Sequence, residues 1–348
     1  MEVLESYESA IVSTRMRLAR NFADYPFPNV LLKNERAVEQ ANEMTSILYA
    51  DLKGVDNFKL YRMSNLPDET VALLKERNLI SRDLIENKLI SAAFINAEEN
   101  ISIMVNEEDH LRVQYFMKGL NLAKAYERVS GIDDIISDTI YFAYDSQYGY
   151  LTACPTNVGT GLRASVMLFL PALVRRGHMK SVMSQLSRGG LTVRGTSGEG
   201  SGTEGNLFQI SNELTLGVSE ADILELVECA VEMLTEFEIR ERRYLKVEGG
   251  LTLWDEIGRS YGILLGCKKI DAQELASRLA DIKLGIALGY IDGEEDGEKL
   301  MAQLDELMLM MRPANLKRIS GIKKGDETCE EYRARTVAKA IKKMNLYL

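Results

Sequence analysis

The sequence predicts a fold of mixed α and β structure followed by a smaller, all-helical domain. Residues 100–105 and 191–194 are short apolar runs typical of strands, whereas residues 34–52 and 111–129 repeat their apolar positions with the period of a helix. After about residue 270 only the helical period remains. We therefore expect one large domain over residues 1–265 and a helical domain over residues 270–348.

The individual elements follow in order along the chain. Residues 11–20 mix apolar residues with three arginines and are predicted to be extended, up to the Tyr-Pro-Phe-Pro break at residues 25–28. Ser219 and Asp222 form a variant capping box, which predicts the start of a helix at Ser219. The C-terminal helices are expected at residues 271–288, 298–311 and 327–348.

Composition excludes several classes of protein. The net charge of −10 argues against a nucleic-acid surface and does not favour anionic lipid. No apolar run is long enough to cross a membrane, and the N-terminus lacks the basic and apolar regions of a signal peptide, so we expect a cytoplasmic protein. The four cysteines are far apart, which argues against a structural zinc site and leaves Cys154 as the thiol of interest.

Arginines stand out by their placement. Arg15 and Arg17 alternate on an extended segment and should point to one face. Arg112 follows an acidic cluster, Arg163 follows a glycine-rich turn, and Arg194 precedes a glycine-rich loop. The guanidinium group is a fixed fork of donors that suits phosphate oxygens, so convergent arginines can hold a triphosphate. Taken singly, an arginine of this kind is more often an exposed or salt-bridged surface residue than a functional one.

A compact run of carboxylates occupies residues 106–112, directly after the strand predicted at 100–105. If these carboxylates converge, one has a raised proton affinity or the cluster faces a cation such as a guanidinium. The alternative is an acidic helix N-terminus that complements the helix dipole.

The loop at residues 195–205 has five glycines in eleven residues. It suits a lid that carries Glu199 onto a substrate, or simply a flexible linker. Gly200, Gly202 and Gly205 match a dinucleotide fingerprint, but the helix that the motif requires does not follow. Since the P-loop and protein-kinase signatures are also missing, a chain that handles ATP must grip its phosphates with arginines.

Four long motifs, in order, resemble the ATP:guanido phosphotransferase family and, within it, the bacterial protein-arginine kinases. The motifs cover residues 13–21, 106–112 and 154–165, together with Val-Arg-Gly at 193–195 and Gly-Glu-Gly-Ser at 198–201. The resemblance extends over nearly the whole chain. It implies an α+β fold in which helices surround an antiparallel sheet and a smaller helical domain follows.

The resemblance also implies the site. It places Glu108, Glu199 and Cys154 in catalysis, and Glu107, Glu108, Glu199 and Asn157 at the substrate. It implies that ATP, with Mg²⁺ held through the nucleotide and no protein metal site, is bound by Ser13, Thr14, Arg15, Arg17, His110, Arg112, Arg163, Ala164, Ser165, Val166, Met167, Arg194, Gly195, Thr196, Ser197 and Gly198.

Two features favour an arginine in a protein as acceptor. The first arginine motif begins at Ser13, which leaves no room for the N-terminal helical domain of small-molecule guanidino kinases, and the tail around Arg312 resembles that of the protein-arginine kinases. The alternatives are a kinase for free arginine or another small guanidino compound, and an inactive phosphoarginine-binding regulator.

By the same resemblance we expect a homodimer that marks proteins with exposed arginines in stress response and protein quality control. The implied partners are a zinc-finger activator, a heat-shock repressor and a Clp protease. The sequence departs from the family pattern at Cys329–Glu330, where an Arg-Asp pair of an accessory phosphoarginine pocket is expected, at Asn78, where a histidine is expected, and at Thr196–Ser197.

Overall fold

The computed structural model describes residues 5–195, 204–321 and 327–348, and in these residues ten strands form two sheets. The strands, β1 to β10, are Ile11–Arg20, Phe58–Arg62, Ala92–Asn96, Ile101–Val105, Leu111–Lys118, Tyr144–Asp145, Gly149–Tyr150, Leu162–Phe169, Leu191–Gly195 and Leu207–Asn212. The main sheet has the order β2-β3-β4-β5-β1-β8-β10-β9, and neighbouring strands are antiparallel throughout. The α+β class with an antiparallel sheet is therefore confirmed.

Twelve α-helices surround or follow this sheet in the described ranges. From α1 to α12 they are Pro28–Leu31, Ala37–Asp51, Asp68–Glu76, Arg82–Glu86, Leu122–Ser137, Pro171–Arg175, Met179–Arg188, Glu220–Gly266, Ala272–Ala287, Gly297–Met310, Pro313–Ser320 and Cys329–Lys343. The capping box expected at Ser219 is present, with Asp222 as its partner. Helix α8 contains a break at Gly250, whose φ of 46° and ψ of −134° are not helical.

One face of the main sheet carries the largest hydrophobic cluster. Met16 and Leu18 of β1 and Val166 of β8 are buried there, and helices α2, α5 and the first half of α8 supply the opposing side chains. The alternation of apolar and polar residues along β1 produces this arrangement, because successive side chains of a strand point to opposite faces.

The opposite face of the sheet is covered at two places. Helices α3 and α4 pack on Ala93 and Met104 of strands β3 and β4, while the C-terminal helices pack on Phe169 and, in part, Met167 at the end of β8. Between these two covers lie the central strands β5, β1 and β8. Four of the five predicted arginines, Arg15, Arg17, Arg112 and Arg163, are on these strands.

The helix expected over residues 111–129 is wrong in its first half. Leu111–Lys118 is strand β5, and the helix α5 begins only at Leu122. Leu111 and Val113 are buried in the core, whereas Arg112 and Gln114 point to the other face, so the period is two. The acidic run at 106–110 is consequently the turn of a β-hairpin and not a helix N-terminus.

No helix in the described residues is long and apolar enough to span a membrane.

Candidate active site

Strand register brings the predicted arginines to one face of the main sheet. Arg17 of β1 lies opposite Arg163 of β8, and Ala19 lies opposite Arg112 of β5. Residues opposite one another in an antiparallel pair point to the same face, and Arg15 shares the face of Arg17 because it is two residues away. Four guanidinium groups thus project from three adjacent strands.

Arg194 extends this set to the edge of the sheet. It lies on β9 opposite Gln209 of β10, and Gln209 lies opposite Met167, which is on the face of Arg163. Burial is the largest cause that lowers the pKa of Arg163, and the positive charge of the nearby Arg194 guanidinium is the second. Arg194 is exposed.

The clustered positive charges are incompletely compensated by the protein. Burial, followed by the charge of Arg112, lowers the pKa of Arg15 to about 9 and opposes its positive charge. Burial and the neighbouring arginines also lower the pKa of Arg17. The buried Nε atoms of Arg15, Arg17 and Arg163 have no hydrogen-bond partner among the described residues. Unpaired buried donors are costly, so this face fits a polyanion such as a triphosphate.

Glu107 binds Arg112, one of the clustered arginines. Its side chain is 1% exposed and forms an ion pair with Arg112. Burial raises the pKa of the Glu107 carboxyl, but the Arg112 guanidinium and hydrogen bonds from Ser81 and the Glu108 backbone outweigh it, and the pKa is lowered. Glu107 is therefore an ionised anchor for Arg112.

Glu108 has the opposite surroundings, one residue further along. The turn between β4 and β5 is closed by the Asn106 amide, which donates to the His110 carbonyl at 2.9 Å, and Asn106 adopts a left-handed φ of 56°. This turn leaves the Glu108 side chain exposed in part. The pKa of its carboxyl is raised by the burial of the rest of the side chain and by the charges of Asp109 and Glu107. A carboxylate with raised proton affinity at a site edge suits a general base.

Cys154 lies beside Glu108, close enough for its thiol to lower the pKa of the Glu108 carboxyl. Its Sγ is also 3.1 Å from Oγ1 of Thr156. The thiol is half-buried. The two groups predicted to act in catalysis, Glu108 and Cys154, are thus brought together from segments that are more than forty residues apart.

Asp109 joins these two segments. Its Oδ1 accepts hydrogen bonds of 2.6 Å from Nδ2 of Asn21 and of 2.6 Å from the Ala153 amide. The Asn157 side chain, predicted to bind substrate, lies near Asp109 and lowers the pKa of its carboxyl. Asn157 is in the same loop as Cys154.

The prediction that His110 binds the cofactor is wrong. The His110 ring is 0% exposed and stacks on Phe22 with a centroid distance of 5.3 Å. Its Nδ1 accepts from the Phe22 amide at 3.1 Å and its Nε2 is 2.9 Å from the Pro26 carbonyl oxygen, so both nitrogens are used. Burial lowers the pKa of His110 to about 4 and keeps the ring neutral. It is a core histidine.

Three further predicted cofactor contacts have side chains on the wrong face. Thr14, Ala164 and Val166 are 0% exposed and point into the core side of the sheet, because they alternate with the arginine-face positions of β1 and β8. A nucleotide on the arginine face cannot reach these side chains. Ser13, Ser165 and Met167 are at positions on the arginine face, whereas Gly195 lies opposite Phe208, at a position of the core face.

Four predicted residues, Thr196, Ser197, Gly198 and Glu199, lie outside the described residues. The structure also shows two contributors that sequence reasoning missed. Asn21 holds both Asp109 and the His110 amide, and Gln114 contacts Arg15. Neither has a local signal, since each acts across strands.

Comparison with known proteins agrees with this geometry. Residues 39–241 match the model of the ATP:guanido phosphotransferase C-terminal catalytic domain, and residues 250–346 match the model of the protein-arginine kinase McsB C-terminal domain. The protein-arginine kinase of Geobacillus thermodenitrificans is 43% identical over 89% of this chain and 84% of that protein. The protein-arginine kinase of Caldanaerobacter subterraneus subsp. tengcongensis is 39% identical over 92% and 93%.

A solved structure also resembles the fold. The duplicated taurocyamine kinase from Schistosoma mansoni, with bound transition-state-analogue components, is 28% identical and superposes with a TM-score of 0.60. The match covers 71% of this chain and 35% of that duplicated chain, so this chain spans about a third of it.

Proposed function

Since this chain belongs to the ATP:guanido phosphotransferase family and, within it, to the protein-arginine kinases, we propose that it transfers the γ-phosphoryl group of ATP to arginine side chains of proteins. The observation that carries the proposal is the arginine face, where three buried Nε atoms have no hydrogen-bond partner within the described ranges of the chain. An exposed carboxylate of raised proton affinity, Glu108, lies in the turn between strands β4 and β5 of the same sheet.

The arginine face would bind the nucleotide phosphates. Arg15, Arg17, Arg112, Arg163 and Arg194 present planar donors that match phosphate oxygens. During phosphoryl transfer, negative charge spreads over the equatorial oxygens, and donors already held in place stabilise it without reorganisation. Mg²⁺, when bound through the nucleotide, would neutralise further phosphate charge.

Glu108 would serve the acceptor. A free guanidinium has a pKa above about 12 and is a poor nucleophile, so its attacking nitrogen must lose a proton as it bonds to the γ-phosphorus. In this proposal the nitrogen–phosphorus bond forms, the bond from phosphorus to the β–γ bridging oxygen breaks, and the proton passes to Glu108. Glu199, from the predicted lid, would orient the same group, with Cys154 assisting.

The test is mass spectrometry at neutral pH after incubation with Mg-ATP and an unfolded protein, with free arginine as a parallel acceptor. We expect acid-labile phosphate on protein arginines. A variant with Arg163→Met, which removes one phosphate donor, should lose transfer, while Arg259→Met on α8, whose side chain is exposed and pairs with Asp255, should retain it.

Each outcome decides between the alternatives. Phosphate on free arginine alone would make the chain a kinase of a small guanidino compound. Nucleotide binding without transfer to either acceptor would contradict kinase activity, and retained phosphoarginine binding would then favour an inactive regulator.

The biological role belongs to the same proposal and is supported by the family resemblance. The chain would act in the cytoplasm as a homodimer and mark proteins in stress response and quality control. Its partners would be a zinc-finger activator, a heat-shock repressor and a Clp protease. Residues 1–265 would form the kinase domain, and residues 270–348 a helical domain for dimerisation and phosphoarginine-type binding.

A further inference from the structure

Gln114 is a buried amide inside the arginine face. It lies on β5 opposite Arg17, and its side chain is 0% exposed. Its Oε1 accepts a hydrogen bond of 2.6 Å from Nη2 of Arg15, and its Nε2 donates one of 2.8 Å to the carbonyl oxygen of Asn78. Both ends of the amide are used, so its orientation is determined: the oxygen faces the arginine and the NH₂ faces the carbonyl.

Arg15 depends on this contact. In the described part of the chain, Gln114 is the side chain that hydrogen-bonds to the Arg15 guanidinium, while the Nε of Arg15 is buried without a partner. The Phe116 ring, 5.1 Å from the guanidinium carbon, bounds its other side. A long, flexible side chain is thereby held in one conformation, with its remaining donors free for an anion.

The carbonyl that orients Gln114 is itself well fixed. Asn78 follows helix α3 with a left-handed φ of 59°, a conformation that Asn tolerates better than most residues. The Asn78 amide donates to the Lys75 carbonyl at 2.9 Å, and the next residue, Leu79, accepts a 2.5 Å hydrogen bond from Oγ of Ser102 on β4. The turn is therefore attached to both a helix and the sheet.

The C-terminal helices hold the same turn from the other side. Two residues before Asn78, the Glu76 carboxylate accepts hydrogen bonds of 2.7 Å from the Ala314 amide and of 2.8 Å from the Asn315 amide, which are the first turn of α11. Nε of Arg77 donates to Oδ1 of Asn315 at 3.0 Å. Helix α11 thus starts on the segment that positions Gln114.

We propose that Gln114 is a positioning residue for phosphoryl transfer. It holds the Arg15 guanidinium against the nucleotide phosphates, and the Asn78 turn and helix α11 in turn hold Gln114 in place. The inference rests on the proposed function for the identity of the anion. A neutral amide suits the task, because it accepts from Arg15 without cancelling the positive charge that the phosphates require.

The first test compares Gln114→Met and Gln114→Glu with the wild-type chain. Binding of Mg²⁺ and β,γ-methylene-ATP is measured by calorimetry, and KM and kcat are measured with protein acceptor. Gln114→Met should weaken nucleotide binding about tenfold and lower kcat, because Arg15 loses its fixed orientation. Gln114→Glu should weaken it further, because a carboxylate pairs with Arg15 and repels phosphate. KM for the protein acceptor should stay within about twofold.

The outcomes separate this inference from its premise. Unchanged nucleotide affinity and kcat in Gln114→Met, or equal rises in both KM values, would overturn the positioning role. No nucleotide binding by the wild-type chain would overturn the proposed function and this inference with it. A residue that only stabilises the fold would change the melting temperature and leave KM for ATP unaltered, which also contradicts the proposal.

The link to α11 has its own test, a double-mutant cycle on kcat/KM for ATP. Glu76→Gln weakens the attachment of α11, so the additional loss from Gln114→Met should be at least about twofold smaller in that background than in the wild type. Independent, multiplicative losses would overturn the link. The control is Glu69→Gln, which changes an exposed carboxylate in the first turn of α3, the helix that ends at Glu76. It should leave the effect of Gln114→Met unchanged.

Discussion

Neighbouring carboxylates in the β4–β5 turn have different proton affinities because their contacts differ. Glu107 is buried against Arg112, which lowers its pKa, and Glu108 is exposed beside Asp109, with a raised pKa. Environment alone thus makes one an ionised anchor and the other a candidate base.

Replacement of Glu108 with Gln should therefore lower kcat by at least about a hundredfold, because the amide cannot accept the guanidinium proton. KM for ATP should hardly change. Steady-state kinetics with a protein acceptor measure both values. The control is Glu225→Gln, on the exposed side of α8, which should behave as wild type. Substantial activity in Glu108→Gln would assign the proton to another group.

Acid should destabilise the protein through His110. Its pKa is about 4 in the folded state and about 6.5 when unfolded, so between these values the unfolded chain binds more protons. Stability is therefore lost as the pH falls below about 6.5, by about 2 kcal/mol from this group at pH 5. Urea unfolding of wild type and His110→Gln at pH 7.5 and pH 5 checks this. An equal pH dependence in both proteins would contradict it.

Connecting turns set the position of the site strands at the scale of elements. The segment before β8 contains Gly159 and Gly161, with φ values of 111° and 64°. A Cβ at Gly161 would lie 2.5 Å from the carbonyl oxygen of Ala19 on β1. This close approach aligns β8, and with it Arg163, against β1.

Gly161→Ala should consequently reduce both stability and activity. The left-handed conformation alone costs about 1–2 kcal/mol for a residue with a Cβ, and the contact with Ala19 adds to it. Gly217→Ala is a matched control, because Gly217 has a similar φ of 76° but open space around it. Thermal unfolding and kcat measure the difference. Equal losses in both variants would show that the close approach does not matter.

At the scale of the whole molecule, helix α8 joins separate parts through a buried ion pair. Arg242 and Glu238 have fully buried side chains 2.9 Å apart. Arg242 Nη1 also donates to Oγ of Ser9, which precedes β1, and Glu238 accepts from the Ala172 and Leu173 amides at the start of α6. The helix is thereby fastened to one end of the central β1–β8 pair, where β1 begins and β8 ends.

Removal of one partner should be far worse than removal of both. Glu238→Leu leaves the Arg242 charge buried and uncompensated, which should cost about 3–5 kcal/mol. The double variant Glu238→Leu with Arg242→Met replaces the pair by apolar groups and should recover part of that loss. Chemical denaturation of the three proteins measures this. Losses that simply add would contradict the role of the pair.

The sequence alone predicts mixed α and β structure, the C-terminal helices and the motifs that carry the arginines and carboxylates. These features depend on residues a few positions apart, whose apolar period or spacing is visible in the chain. The family resemblance then identified the chemistry. The local period is misleading at residues 111–118, where it predicts the start of a helix but the structure has strand β5.

Only the tertiary structure decided which side chains meet. The register of β5, β1 and β8 brings Arg112, Arg17 and Arg163 together, and the same register turns Thr14 and Val166 into the core. His110 is buried and Gln114 contacts Arg15 for the same reason. These contacts join residues about 90 to 150 positions apart. Pairing between distant strands leaves no periodic trace in the sequence, since the face that a residue occupies depends on its partner strand.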